Sequence, residues 1–192
     1  MIRIAVVGDI GSGKSHVAKQ FGYPVFNADK EVSKLYKKNK KCFNKLKKKI
    51  PKYIDAFPIK KTKILKAISD NNNNLKKIIK VIHPEVRLKL NAFIKKNKNK
   101  KIIVLDIPLF LENKMNRESD ILIFVEAKKT EVIKRLKKRF NYNFKIIKKF
   151  KKLQLPVERK KRISDYIIKN NFNNKFVKKN VKITLKKIFQ NA

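Results

Sequence analysis

The chain has 192 residues, a single cysteine and a formal net charge of +39. That length builds one domain with a sizeable core and room for a small insertion, and its apolar runs are all too short to span a membrane. Cys42 cannot form an internal disulfide and fits a reducing cytoplasm, and the charge is carried by Lys rather than Arg, which supplies only Arg3, Arg87, Arg117, Arg135, Arg139, Arg159 and Arg162 of the 53 basic residues.

Nucleic-acid readers favour Arg for its bidentate fork. Lys, Asn and Ile are inflated together here, as in Asn71-Asn72-Asn73-Asn74, so the excess reads as a solvated surface and no nucleic-acid partner is expected.

Residues 2–7 read as a buried strand leading into Gly8-Asp9-Ile10-Gly11-Ser12-Gly13-Lys14-Ser15. This is G-x-x-x-x-G-K-[ST] between a strand and a helix (14–21), the context that marks a phosphate-binding loop. Glycines let successive N–H groups turn inward on an anion, and the helix N-terminus adds its dipole. Lys14 can reach terminal phosphates, and the Ser15 hydroxyl is placed to ligate Mg²⁺. A nucleoside triphosphate is therefore the expected ligand. Val25-Phe26 forms a short second strand that ends at Asn27-Ala28-Asp29, and a helix follows over 29–37. Asp29 is either the N-cap of that helix or a carboxylate at a strand's C-terminal end, where open α/β sheets place active sites.

Residues 38–100 read as mostly helical, Lys-rich and broken at Pro51, Pro58 and the four-Asn run, long enough for an inserted subdomain. The lone His83 before Pro84 suits a helix start or a core position. Ile102-Ile103-Val104-Leu105-Asp106 is a buried parallel strand tipped by a carboxylate, in the manner of a Walker B segment. Asp106 can accept from Mg²⁺-bound water or from Ser15. The apolar loop from Pro108 ends at Glu112, and 120–125 is the next strand. A helix over 129–139 carries Arg135 and Arg139 at i, i+4, either a phosphate clamp or a solvated basic face. Residues 140–162, broken at Pro156, suit a mobile lid; 163–168 read as the last strand and 173–190 as a terminal helix. The expected fold is α/β, a P-loop NTPase-type five-stranded parallel sheet with helices on both faces. Its core would be about 1–37, 101–138 and 163–192, with an insertion at about 38–100 and a lid at about 139–162.

In this order the motifs resemble the dephospho-CoA kinase family over nearly the whole chain. That family's loop matches residues 8–15, its D-A-D motif Asn27-Ala28-Asp29 and its H-P motif His83-Pro84. Its D-x-P-L-L-x-E segment matches Asp106-Ile107-Pro108-Leu109-Phe110-Leu111-Glu112, and its Q-x-P segment Gln154-Leu155-Pro156. The closing R-x-x-x-D-x-x-I-x-N-x pattern resembles 162–171, with one residue fewer between Arg162 and Asp165. The resemblance implies transfer of the γ-phosphoryl of ATP to the ribose 3′-hydroxyl of dephospho-CoA, with Mg²⁺. Asp29 would be the general base, and Gly11, Ser12, Gly13, Lys14, Ser15 and His16 would hold ATP. Ser15 and Asp106 would serve the metal, and Asp106, Pro108, Glu112 and His83 the acceptor. Arg139, with Arg135, would stabilise transferring charge, and the loop at Asn170 and Asn171 would lie by the adenine. ATP and dephospho-CoA would be the partners of a cytoplasmic monomer or weak homo-oligomer, with no membrane contact.

Four positions depart from the family's pattern. Asp9 replaces a glycine, so its carboxylate must turn away from the phosphates. His16 replaces Thr, Asn27 replaces the first Asp beside Asp29, and Ser33 stands where Arg or His is usual. Two other functions compete with this one. Another P-loop nucleoside or nucleotide kinase would not need so long an insertion. A basic nucleic-acid-binding P-loop ATPase would leave Asp29 without a task.

Overall fold

The computed structural model describes residues 1–138 and 143–191. Its first apolar run forms β1 (Ile2–Gly8), followed through the Gly-rich turn by α1 (Lys14–Gln20) and the short β2 (Val25–Asn27). After a helical stretch the chain returns as β3 (Ile102–Asp106) and β4 (Asp120–Glu126), and later as β5 (Tyr166–Lys169). The five strands are all parallel, in the order β2-β3-β1-β4-β5. β1 is central, and the chain leaves it on one side for β2 and β3 and on the other for β4 and β5. In such a sheet the carboxyl ends beside the central strand form the ligand-binding edge.

Side-chain alternation explains why near-continuous apolar strands suit this sheet. Ile4, Val6, Ile102, Val104, Ile123, Val125 and Ile168 point to one face, where they pack with Val17 and Ala18 of α1 and Val177, Val181 and Ile188 of α9 (Asn174–Gln190). The alternate residues Ala5, Val7, Ile103, Leu105 and Phe124 are buried too, and α8 (Val157–Arg162) lies against β1. At the amino edge Arg3 and Asp120 are register partners joined by a buried ion pair of 2.8 Å.

The chain divides into two compact units. One takes in residues 1–27, 97–143 and 151–192, the other 28–96 and 144–150. The second unit holds α2 (Ala28–Lys38), α3 (Lys40–Lys49), α4 (Lys61–Asp70) and α5 (Asn72–Lys96). It starts before residue 38 because α2 buries Ala28 and Leu35 and packs on α3 and α5. Most of α7 (Phe144–Lys152), part of the expected lid, belongs here: Lys149 Nζ donates to Ile68 O at 2.7 Å and Ser69 O at 2.8 Å at the end of α4.

The last strand starts later than its sequence pattern implies. Ile163 N donates to Arg159 O at 3.2 Å and Ser164 Oγ to Lys160 O at 2.7 Å, so both residues turn back on the end of α8 instead of opening β5. Asp165 then joins β4: its N donates to Leu122 O at 3.0 Å and its Oδ2 accepts from Leu122 N at 2.7 Å.

Candidate functional site

The loop between β1 and α1 takes the form its glycines require. Gly13 has φ of 91°, a left-handed conformation that costs only glycine nothing, and a Cβ there would overlap Asn170 Nδ2. Gly11 has φ of 85°, and its Cβ would meet Leu136 of α6 (Lys129–Lys137) at 2.9 Å. No side-chain hydrogen bond caps α1 at Gly13, the arrangement that leaves opening N–H groups for an anion. Lys14 Nζ folds back over the loop, donating to Asp9 O at 2.7 Å and Gly8 O at 3.3 Å. The Asp9 carboxylate accepts from Ile10 N at 2.6 Å and faces Lys151 Nζ at 3.7 Å. Ser12 Oγ and His16 Nε2 are buried with no hydrogen-bond partner among the described residues.

Sheet register brings two further residues to this edge. Asn27, last of β2, is the partner of Asp106, last of β3. Asn27 Nδ2 donates to Asp106 Oδ2 and approaches Ser15 Oγ at 3.5 Å. One amide thus links the hydroxyl and the carboxylate expected at a metal. An Asp at position 27 would set two carboxylates side by side, whereas Asn supplies a donor. A hydroxyl and a carboxylate are hard oxygen donors that fit Mg²⁺. No group of three His, Cys, Asp or Glu gathers among the described residues.

Glu112 follows the half-buried Pro108, and its Oε1 accepts from Leu155 N at 2.9 Å and pairs with Lys160 Nζ at 3.6 Å. It is thereby engaged with the segment entering α8. Asp29 is the exposed second residue of α2, inside the first turn rather than at the N-cap, and its charge helps push the Tyr36 hydroxyl pKa upward, after burial and Cys42. His83 is not at a helix start. It stands mid-way along α5, half-buried, with its pKa lowered by burial and by Arg87. Arg139 lies outside the described residues. Arg135 is not merely solvated: its guanidinium stacks on the Phe172 ring, 4.3 Å from the centroid. Asn171 is exposed, its Oδ1 accepting from Asn173 N at 3.0 Å.

Asn170, from the closing pattern, and two residues that no motif singled out, Phe172 and Lys160, contact the loop or its neighbours. Asn170 is 3% exposed; its Nδ2 donates to Ser12 O at 2.7 Å and its Oδ1 accepts from Phe172 N at 2.8 Å. Phe172 adopts φ of 63° and presents its ring to Arg135. Lys160 is 3% exposed and donates to Gly8 O at 3.2 Å and Gln154 Oε1 at 2.9 Å. Burial lowers its pKa, against the pull of Glu112 and Asp9.

The family model described as CoaE, dephospho-CoA kinase, matches residues 2–175. A dephospho-CoA kinase of Wolbachia sp. subsp. Brugia malayi is 34% identical over 93% of this chain and 94% of its own length. One from Bartonella quintana is 33% identical, covering 86% of this chain and 87% of the relative. Among solved structures, TT1252 from Thermus thermophilus superposes with a TM-score of 0.75 at 25% identity, covering 97% of each chain. A dephospho-CoA kinase from Campylobacter jejuni has the same fold, with a TM-score of 0.62 at 23% identity over 97% of this chain and 96% of its own.

Proposed function

This chain belongs to the dephospho-CoA kinase family, and from that premise we propose how its residues carry out ATP-dependent phosphorylation of the ribose 3′-hydroxyl of dephospho-CoA. The observation that carries the assignment of roles is the link from Asn27 to Asp106 and Ser15 at the edge where residues 8–15 form a phosphate loop.

Phosphoryl transfer is mostly positioning and charge neutralisation. The N–H groups of residues 11–16 hold the ATP phosphates, and Lys14 turns from the Asp9 and Gly8 carbonyls toward the β- and γ-phosphates. Ser15 and Asp106 would hold Mg²⁺, which would supply charge neutralisation for the nucleotide's phosphates. Asn27 keeps Asp106 and Ser15 aligned and, as an amide, adds no charge next to Asp29. Asp29 orients the acceptor hydroxyl and accepts its proton. The unit around His83 binds the CoA portion, where a pKa held down by burial keeps the imidazole neutral near pH 7 and able to accept a hydrogen bond. Arg135, with Arg139, stabilises the transferring charge. The protein works in the cytoplasm on two small anionic substrates, as a monomer or weak homo-oligomer, with no nucleic-acid or membrane partner in its reaction.

ADP release from MgATP, followed with and without dephospho-CoA in wild type and Asp29→Asn, tests both reaction and base. Release that needs dephospho-CoA, yields CoA by mass and falls by about 10²-fold or more in the variant is the expected result. Full turnover in Asp29→Asn would remove Asp29 from the role of base. A wild type indifferent to dephospho-CoA would reject the reaction.

A further inference from the structure

We propose that Lys160 is a positioning residue of the kinase: from α8 it fastens the entry of the phosphate loop at Gly8 and sets Lys14 for the nucleotide's phosphates. Lys160 can act so only if residues 8–15 hold ATP, and the inference rests on that reading.

Lys160 is the one buried lysine among the described residues, in a chain whose other lysines are solvated or half-exposed. A buried ammonium is costly unless each of its three N–H groups finds an acceptor. Three acceptors surround it: Gln154 Oε1 at 2.9 Å, Gly8 O at 3.2 Å and Glu112 Oε1 at 3.6 Å. The segment from Gln154 to Lys160 and the acidic end of the loop after β3 thus meet at the first residue of the phosphate loop.

Lys14 makes this more than a packing contact. Its Nζ lies 3.3 Å from the same Gly8 oxygen, so two ammonium groups converge on one carbonyl. Glu112 at 3.6 Å offsets the charge of Lys160, and Asp9 adds a second nearby carboxylate. As Lys14 turns to the phosphates, Gly8 O loses one donor and keeps the other. Lys160 then keeps the loop entry fixed, and its charge repels Lys14 from the carbonyl it is leaving. Gly8 is also held on its other side by its pairing with Val125 on β4.

Lys160→Met and Lys160→Arg are to be compared with wild type by calorimetric titration with MgADP, by kinetics with each substrate varied, and by thermal melting. The Met variant is expected to bind MgADP about tenfold more weakly, the order for losing one charge-assisted bond that orders a loop. Its KM for ATP should rise by a similar factor and by clearly more than that for dephospho-CoA, since the bond lost at Gly8 O is to the nucleotide loop. Lys160→Arg should recover most of the nucleotide affinity, because a guanidinium also donates to Gly8 O. Unchanged MgADP affinity in Lys160→Met, or an equal rise in both KM values, overturns the proposal. Should Lys160→Met fail to fold, Glu112→Gln asks the same question, keeping an acceptor for Leu155 N while removing the charge that holds Lys160. A several-fold loss of MgADP affinity is expected there, and no loss overturns the proposal. Wild-type protein that does not bind MgADP would instead reject the phosphate-loop reading itself.

Discussion

Gly13 is where a single methyl group has the most to disturb. Its φ of 91° excludes an unstrained L side chain, and its missing Cβ is the space that Asn170 Nδ2 occupies on the way to Ser12 O. Gly13→Ala adds a backbone penalty of about 1 kcal/mol and breaks a buried bond worth about as much again. Both losses fall on the loop, so the variant should keep the wild-type circular dichroism spectrum and lose MgADP binding by at least about tenfold. A folded Gly13→Ala protein with wild-type affinity would show that the loop has other conformations open to it. The residues that carry the loop motif are plain in the sequence because phosphate binding demands that spacing. Their supports are not. The closing pattern marks Asn170 but not that it is buried beneath the loop while Asn171 is exposed beside it, and Lys160 stands in a run of basic residues with no pattern to mark it as the buried one. Such roles are set by which side chains the tertiary fold surrounds with acceptors.

At the scale of elements, β1 and β4 show how one pair of strands divides its work. Their amino ends meet at Arg3 and Asp120, and their carboxyl ends at Gly8 and Val125 beside the phosphate loop. Asp120 Oδ1 lies 2.8 Å from Arg3 Nε, and its Oδ2 accepts from Arg3 Nη2 at 3.1 Å and from Arg117 N at 2.9 Å. Removing one partner of a buried pair strands the other, and desolvation already pulls the Arg3 pKa down. Asp120→Ala should therefore cost about 3–5 kcal/mol of folding stability, read by urea titration, with kcat unchanged well below the melting temperature. A fall in kcat at constant stability would show that the amino edge is coupled to the site. The strands themselves were legible because both faces of the sheet are covered, which makes them continuous apolar runs. β5 was misplaced at its start because Ile163 and Ser164 look equally fit for a strand, and only their bonds back onto the end of α8 keep them out of it. Position 29 deceived in a similar way: Asp is a good N-cap, but β2 runs into α2 at Ala28 with no residue left over for a cap.

For the whole molecule, the charge of +39 makes two predictions of opposite sign from one cause. Like charges at this density repel one another in the folded state more than in the expanded chain, so the surface opposes folding. On α3, for instance, Cys42 and Leu46 are buried while Lys40, Lys41, Lys45, Lys47, Lys48 and Lys49 all face water. Added salt shortens the range of that repulsion to roughly 3 Å at about 1 M, and the melting temperature should rise with KCl. The same field draws in ATP and dephospho-CoA, both polyanions, and screening weakens that attraction. The value of kcat/KM should therefore fall on the order of tenfold between about 20 mM and about 500 mM KCl, while kcat at saturating substrate changes little. Stability and capture efficiency would then move in opposite directions along one salt titration. A melting temperature that rises while kcat/KM stays flat would mean that the lysines are a solvated coat the substrates do not sense. A fall in both would point to salt acting on specific bonds, with the Lys14 and Lys160 contacts at Gly8 the first to re-examine.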